Sequence, residues 1–516
     1  MKTKLFALYA ALSCLITPAA FAAEGETEGR GALIDGLVGF IYWLESIVFA
    51  SVSFFGTEIE LIVLWMAAPM LLLTFYFGFI NLRGFKRAFE VLRGDFHDET
   101  APGEVTQFQA LATALSGTVG LGNIAGVAVA IAIGGPGATF WMILIGLFAM
   151  SLKFAECTLG VKYRVEHADG TVSGGPMYYL ERGLSARGWV KSGKTLAWVY
   201  AIVAVFATLP QITQVNQAYS QFSGALDISG FTAELTYGLV LAGLTAVVII
   251  GGIRSIANVT SRLVPFMTIL YVGTAVIILG MNATLIPEAF ATIFTNAFHP
   301  ESVAGGIIGS FVAGMRRAVY STEAGLGSAT MAHAAAKTRE PISEGMVALI
   351  EPFLDTVIIC TMTALVIIIT QAYTFTGHDG QLLGDIQMTS AAFGHAISWF
   401  PYILVLAVQL FAFSTIISWG YYSGKVWGFV FGEGERSMMI FKLLFCVALI
   451  PGAFFTSKEV YSLIDSLYFM MAIPNIIGIY IMAPELKRDL KDYLHRLKTG
   501  QIKKTRVPRN IVNTSS

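Results

Sequence analysis

The chain has 516 residues, 55% of them hydrophobic and only 13% charged, with a mean hydropathy of +0.68. A soluble globular domain carries about 25% charge, so this composition excludes one and places the chain in lipid. The net charge of -1 says nothing about partners, because the charges are clustered and their placement outweighs their sum.

Residues 1–22 join two lysines, a short apolar run and the small-residue pattern Ala20-Phe21-Ala22, which predicts a cleavable signal peptide. The run is well short of the roughly 20 residues a span requires. Residues 23–60 then form an extracytoplasmic segment, in which Leu33 to Phe49 reads as an amphipathic helix on the outer surface. Apolar runs predict an additional helix at 61–80, then spans at Gln107–Ile131, Ala138–Leu159, Leu196–Tyr219, Thr236–Gly252 and Leu263–Met281. A second set follows at Val303–Ser321, Met346–Thr370, Ala391–Tyr421, Met438–Phe454 and Val460–Met482, which makes eleven spans. Two five-helix runs result, 105–283 and 303–483, with a basic tail at 484–516.

Lysine and arginine concentrate in alternate loops: at Arg83 to Arg93, Lys162 to Lys194, Arg316 to Arg339 and after Pro484. The loops Ser220–Leu235, Asn282–Ser302 and Gln371–Met388 have none. The positive-inside rule therefore sets the N-terminus outside and the C-terminus in the cytoplasm. The basic tail reads as a juxtamembrane segment held by anionic lipid. Nucleic acid is excluded as its partner, since the chain offers neither a stacking surface nor a binding fold for it. Cys14, Cys157, Cys360 and Cys446 have no metal-like spacing and read as packing residues.

The stretch LSGTVGLGN, Leu115 to Asn123, crowds three glycines, two hydroxyls and an amide into the middle of a predicted span. Unwound backbone at membrane depth survives only where protein or a cavity satisfies it. The run therefore predicts a broken helix, whose first half ends in carbonyls that suit a cation. Its second half begins with N–H groups that suit a carboxylate. Secondary transporters built from inverted repeats place a second break five helices later. The span there carries Gly305, Gly306, Gly309 and Gly314.

Together, SGTVGLGNIAGVAVAIAIGGPGATFWM (Ser116 to Met142) and STEAGLGSATMAHAAAKT (Ser321 to Thr338) resemble the alanine or glycine:cation symporter family, also called sodium:alanine symporters. The likeness runs from about Leu61 to the last span. It implies an all-α integral membrane protein of leucine-transporter-like fold, with two five-helix inverted repeats after one additional N-terminal helix. It further implies that the unwound segment Thr118, Gly120, Leu121 and Gly122 takes the substrate carboxylate. Carbonyls near Ser116 and Val119 would then face a sodium ion, with Asn123 close by.

The other half of that ion site falls on the eighth core helix, where Ser414 and Thr415 are adjacent. Two hydroxyls opposite carbonyl ends make the oxygen-only site that a hard cation prefers. Substrate selectivity would rest on side chains that reach the gap between the breaks: Gln214 on the third core helix, Phe311 and Met315 beside Gly314 on the sixth, and Trp419 on the eighth. Phe311 and Met315 suit the core equally well, and Gln211 reads as too near the outer surface. Glu351 and Asp355 lie four apart near the predicted start of the seventh core helix, within reach of water, and read as a helix-end or gate pair. Lys153, Glu156 and Lys162 read as an inner-face group.

The implied function is sodium-coupled import of small neutral amino acids, alanine or glycine, at the cell inner membrane, with no organic cofactor. A proton-coupled carrier is the alternative. Related proton-coupled carriers place a lysine on the fifth core helix, and Leu263–Gly280 has no charge. A membrane hydrolase would need a nucleophile with its base or an H-E-x-x-H pair, which the seven histidines do not form. A channel filter normally uses subunit symmetry, which eleven unlike spans do not supply.

Overall fold

The computed structural model describes residues 32–54, 57–96, 98–207, 211–298, 306–377, 382–397, 399–454 and 458–504. The signal-peptide expectation and Gly305 lie outside them.

Helix α1 (Ala32–Val48) has an apolar residue toward the protein at Ile41, Leu44 and Val48, one per turn, and packs on the helix Lys458–Met470. Its opposite face exposes Phe40, Trp43 and Ile47, the amphipathic pattern expected at a lipid interface. The hairpin β1–β2 (Ser51–Phe54, Thr57–Glu60) leads into α2 (Leu61–Tyr76). A left-handed turn at Gly78 and Phe79 then reverses the chain, through the short turn Ile80–Arg83, into α3 (Phe85–Leu92). The additional helix therefore stops four residues before the expected Ile80.

The first core helix is α4 (Gln107–Thr118) and α5 (Ala125–Gly134), joined by one 3-10 turn at Leu121–Asn123 and bent by 62°. Then come α6 (Ala138–Lys162), the short α7 (Pro176–Ser185), α8 (Val190–Ala207), α9 (Gln211–Leu226), α10 (Phe231–Ile250) and α11 (Gly252–Met281). The second half runs through α12 (Ile286–Phe298), α13 (Gly306–Thr322), α14 (Ala329–Ala334) and α15 (Pro341–Ile369). It closes with α16 (Asp385–Ala396), α17 (Phe400–Phe431), α18 (Glu435–Leu449), α19 (Lys458–Met470) and α20 (Ala472–Lys498).

Among the described residues, eight helical runs are long and apolar enough to cross a membrane, and the bent pair α4–α5 makes nine. Helices α2 and α13, expected as spans, have 16 and 17 residues. Other boundaries also depart from expectation. Residues before Pro401 form the separate α16, because proline belongs in the first turn of a new helix. Helix α11 begins eleven residues earlier than the apolar run, carrying Arg254 and Arg262 in its first turns. Helix α20 continues through Pro484 to Lys498, so much of the basic tail is a rigid extension. That extension is docked on the protein, with Arg496 bidentate on Glu340 at 2.6 and 2.8 Å and Lys162 paired with Glu485 and Asp489.

The core centres on α6, which packs against α2, α13, α14 and α15. Small residues permit the approach: a Cβ on Gly160 would lie 2.9 Å from Thr330, and one on Gly146 2.8 Å from Thr356. Leu244, Val247, Ile269 and Ile277 stand more than half exposed on α10 and α11, an apolar belt that only lipid would cover.

Candidate functional site

The first break begins where Val119 leaves helical conformation (φ -74°, ψ 95°) and Gly120 is extended (φ -143°, ψ -155°). Asn123 stitches it. Its Oδ1 accepts from the Gly120 N–H at 2.9 Å, while its Nδ2 donates to Asp355 Oδ1 at 2.6 Å. Two carbonyls at the start of the second half also accept from hydroxyls, Asn123 O from Thr363 at 3.1 Å and Ile124 O from Thr389 at 2.9 Å. A Cβ on Gly122 would meet nothing within 4 Å, so this glycine faces open space in the cavity described below.

Helix α17 crosses this break. Ser116 donates its hydroxyl to Ser414 O at 2.6 Å, and Ser414 Oγ reaches Ser116 O at 3.4 Å and Phe411 O at 2.9 Å. Next to them the Thr415 hydroxyl is buried with no hydrogen-bond partner among the described residues, and a Cβ on Gly120 would sit 2.9 Å from it. A buried hydroxyl left unpaired costs about 1–3 kcal/mol, so such a group calls for a ligand. Ser414 Oγ, Thr415 Oγ1 and the Ser116 carbonyl bring oxygens together here, the donor type a hard cation prefers.

The second break lies later than the glycine count suggested. Helix α13 runs intact through Gly306, Gly309 and Gly314, and the chain unwinds at 323–328, with positive φ at Glu323, Gly325 and Gly327. A Cβ on Gly314 would collide with the Ala138 carbonyl and Trp141, so that glycine serves close packing on α6. Phe311 stacks edge-on against Trp141 with ring centroids 5.1 Å apart, and Met315 is fully buried. Phe311 and Gly314 therefore pack on α6, and neither they nor Met315 line the cavity described below.

Charged groups serve this second break. Glu156 Oε1 accepts from Gly325 N at 2.8 Å and from Asn475 Nδ2 at 2.7 Å, and the same amide donates to Gly325 O at 2.7 Å. Tyr200 donates to Leu326 O at 2.9 Å, and Ser328 to Glu323 Oε2 at 2.5 Å. Lys153 pairs with Glu351 at 2.9 Å, both side chains wholly buried. The inner-face group is thus three separate devices: Lys153 on Glu351, Glu156 on the break, and Lys162 at the helix end. Asp355 is likewise no water-facing helix end. Helix α15 starts at Pro341, which leaves Asp355 fully buried, where it accepts from Ser321 and Thr356 as well as Asn123. This one carboxylate links the two breaks.

Between the breaks is a cavity of about 380 Å³. Thr118, Gly120, Leu121, Gly122, Gln214 and Trp419, the segment and side chains assigned from the sequence to the substrate, line it together with Thr415, which was assigned to the ion. Gln211 lines it too, against expectation, with its carbonyl oxygen and that of Gln214 buried and without a hydrogen-bond partner among the described residues. Arg317, Tyr320, Asp465 and Tyr468 complete the wall and were missed; the signal for Asp465 was a charge inside the last predicted span. Ser116, Val119, Asn123 and Ser414 stand immediately behind the lining.

The cavity reaches Asp385 on α16 and Asp465 on α19, while the opposite side is shut. There the strand entering α4 is bonded to the chain leaving α14, with Glu104 N to Ala335 O and Lys337 N to Val105 O both 2.8 Å. The buried Arg164 guanidinium donates to the carbonyls of Pro102, Ala334, Ala336 and Thr338 at 2.6–3.0 Å. Outside the membrane-spanning part, the Thr100 hydroxyl and then Arg339 hold the Asp98 carboxyl down to about 2.

Two broken helices around a polar cavity with one side closed describe a carrier. MhsT, crystallised in complex with L-phenylalanine, superposes with a TM-score of 0.52 at 15% identity, covering 74% of this chain and 89% of that one. That likeness shows the leucine-transporter-like fold. The sodium/alanine symporter AgcS of Methanococcus maripaludis is 37% identical over 82% of this chain and 91% of its own length. YrbD of Bacillus subtilis, described as a putative sodium/proton-dependent alanine carrier protein, is 35% identical over 82% and 87%. The model of the sodium:alanine symporter family matches residues 42–507. The chain therefore belongs to the sodium:alanine symporter family: it is a multi-pass membrane transporter, a cation-coupled amino acid symporter and no enzyme.

Proposed function

We propose that this chain imports alanine and glycine together with sodium by alternating access. The observation that carries the reading is the unpaired, buried Thr415 hydroxyl beside the first break, adjoining a cavity that Gly122 leaves open. In this reading the carboxylate of the amino acid meets the N–H groups near Leu121 and Gly122, at the positive end of the second half-helix. Thr118, Gln214 and Trp419 bound the rest of the substrate. Sodium would be held by Ser414, Thr415 and the carbonyls of Ser116 and Val119. It would fix α17 against the broken helix and so lower the cost of ordering the carboxylate site, a coupling that acts equally in both directions.

The two runs 105–283 and 303–483 are read as the inverted repeats, since each opens with a broken helix, α4–α5 and α13–α14. Basic residues cluster on the shut side, which makes that side cytoplasmic, the N-terminus external after removal of residues 1–22, and the cavity outward-facing. Sodium is favoured over protons as the coupling ion by the uncharged stretch Leu263–Gly280 of α11 and by the oxygen-only set at Thr415. Uptake of labelled alanine and glycine into proteoliposomes tests the proposal. Accumulation should follow an imposed sodium gradient and ignore an imposed pH gradient.

A further inference from the structure

A second cavity, of about 200 Å³, lies on the shut, basic side between α3, α15 and α20. Its floor is apolar and buried, formed by Phe77, Met346 and Leu490. Its rim is basic. Arg83, Lys86 and Arg87 fall three and four residues apart, which puts them on one face of the chain between the left-handed turn and α3.

The rim carries one carboxylate, Glu90, and its charge is already met by Arg87 and by Lys504 at 3.2 Å. Arg87 also covers the Phe96 ring at 5.2 Å. Lys86 makes no hydrogen bond or ion pair among the described residues, and Arg83 donates only to Gly78 O at 3.3 Å. Two cations are thus left in excess over an apolar pocket. Directly beside them stand exposed Phe75, Phe79 and Leu82, continuous with the outward face of α2. Such a chain keeps an exposed apolar surface of this kind against acyl tails.

We propose that this cavity binds the phosphate headgroup of an anionic phospholipid, with Arg83 and Lys86 on the phosphate and the tails against Phe75, Phe79 and Leu82. The volume admits a headgroup and leaves no room for the tails. Charge complementarity selects the anionic class, since basic pockets at this depth recognise such headgroups. A lipid so placed would brace α3 against α20.

The test is native mass spectrometry of the full chain in neutral detergent, titrated separately with phosphatidylglycerol, phosphatidylcholine and glycerol 3-phosphate. Phosphatidylglycerol should bind saturably, and the other two weakly or not at all. Removing cations costs about fivefold each, so Arg83→Gln with Lys86→Gln should weaken binding on the order of 25-fold. Leu490→Trp should weaken it by filling the pocket without touching charge, and Lys491→Gln with Lys498→Gln should leave it unchanged. Elution volume and thermal stability check folding, and Lys86→Glu, at an exposed residue, replaces any variant that fails. The proposal is overturned if phosphatidylcholine binds equally, if glycerol 3-phosphate binds as tightly as the lipid, or if the pocket variants bind like the unaltered chain.

Discussion

Ser116 and Ser414, 298 residues apart, exchange hydrogen bonds: the Ser116 hydroxyl donates to Ser414 O at 2.6 Å, and Ser414 Oγ faces Ser116 O at 3.4 Å. This exchange fixes the middle of α17 on the carbonyl end of α4, and it leaves Thr415 Oγ1 unpaired at the junction. In the proposed function, a cation bound there would engage the oxygens of both helices at once.

Replacing Ser414 and Thr415 together by alanine should therefore raise the sodium concentration needed for half-maximal alanine binding. A coupling of about 1–3 kcal/mol corresponds to roughly 5- to 150-fold. Alanine affinity should recover as sodium is raised, measured by scintillation proximity on purified protein with thermal stability as the folding control. Unchanged sodium dependence would return both hydroxyls to a packing role.

Gly120 and Gly122 should respond differently to added side chains. A Cβ on Gly120 would lie 2.9 Å from Thr415 Oγ1, so Gly120→Ala is expected to weaken sodium binding first. Gly122 has open space at its Cβ, so Gly122→Leu should fold normally yet block the carboxylate and abolish alanine binding. Normal alanine affinity in Gly122→Leu would refute the assigned carboxylate site.

Trp419 bounds the cavity and Phe311 does not. Shortening Trp419 to leucine should admit larger amino acids in a competition panel, with discrimination of about 1–3 kcal/mol per methylene redistributed among substrates. Phe311→Leu should loosen α13 on α6 and lower thermal stability without widening the panel. The opposite pattern would place Phe311 in the wall.

Lys153 and Glu351 form an ion pair with no exposure, so breaking it one-sidedly strands a charge. Lys153→Met is expected to destabilise by about 3–5 kcal/mol, and Lys153→Met with Glu351→Leu by much less. Thermal unfolding of the two variants reads the stability cost of the pair, and uptake by the double variant reads its part in transport. If the double variant folds yet loses uptake, the pair belongs to the transport cycle.

The first break was legible because its three glycines come with two hydroxyls and an amide, which have no packing reason to cluster there, and the geometry at Val119 and Gly120 matches that reading. The second was misplaced onto Gly305 to Gly314, because a glycine in a membrane helix serves packing as readily as unwinding. The deciding residues were Glu323, Gly325 and Gly327, whose positive φ is invisible in composition. Asp355 was read as a water-facing end because its partners Asn123 and Ser321 come from other helices, 232 and 34 residues away. The last span was ended at Met482, where the apolar run gives way to charge, yet α20 continues, held by Glu340 and by Lys162, far away in sequence. What sequence hid was long-range pairing; what it showed was local backbone chemistry.

The central claim is that the ion completed at Thr415 drives the amino acid held at Gly122, and one measurement addresses it most directly. Proteoliposomes containing the chain are given an inward sodium gradient at equal pH, then an inward proton gradient at equal sodium, and labelled alanine is counted. The account predicts concentrative uptake under the first condition, none under the second, and a sodium response shifted to higher sodium in the Ser414→Ala, Thr415→Ala chain. Uptake driven by protons and indifferent to sodium would contradict it.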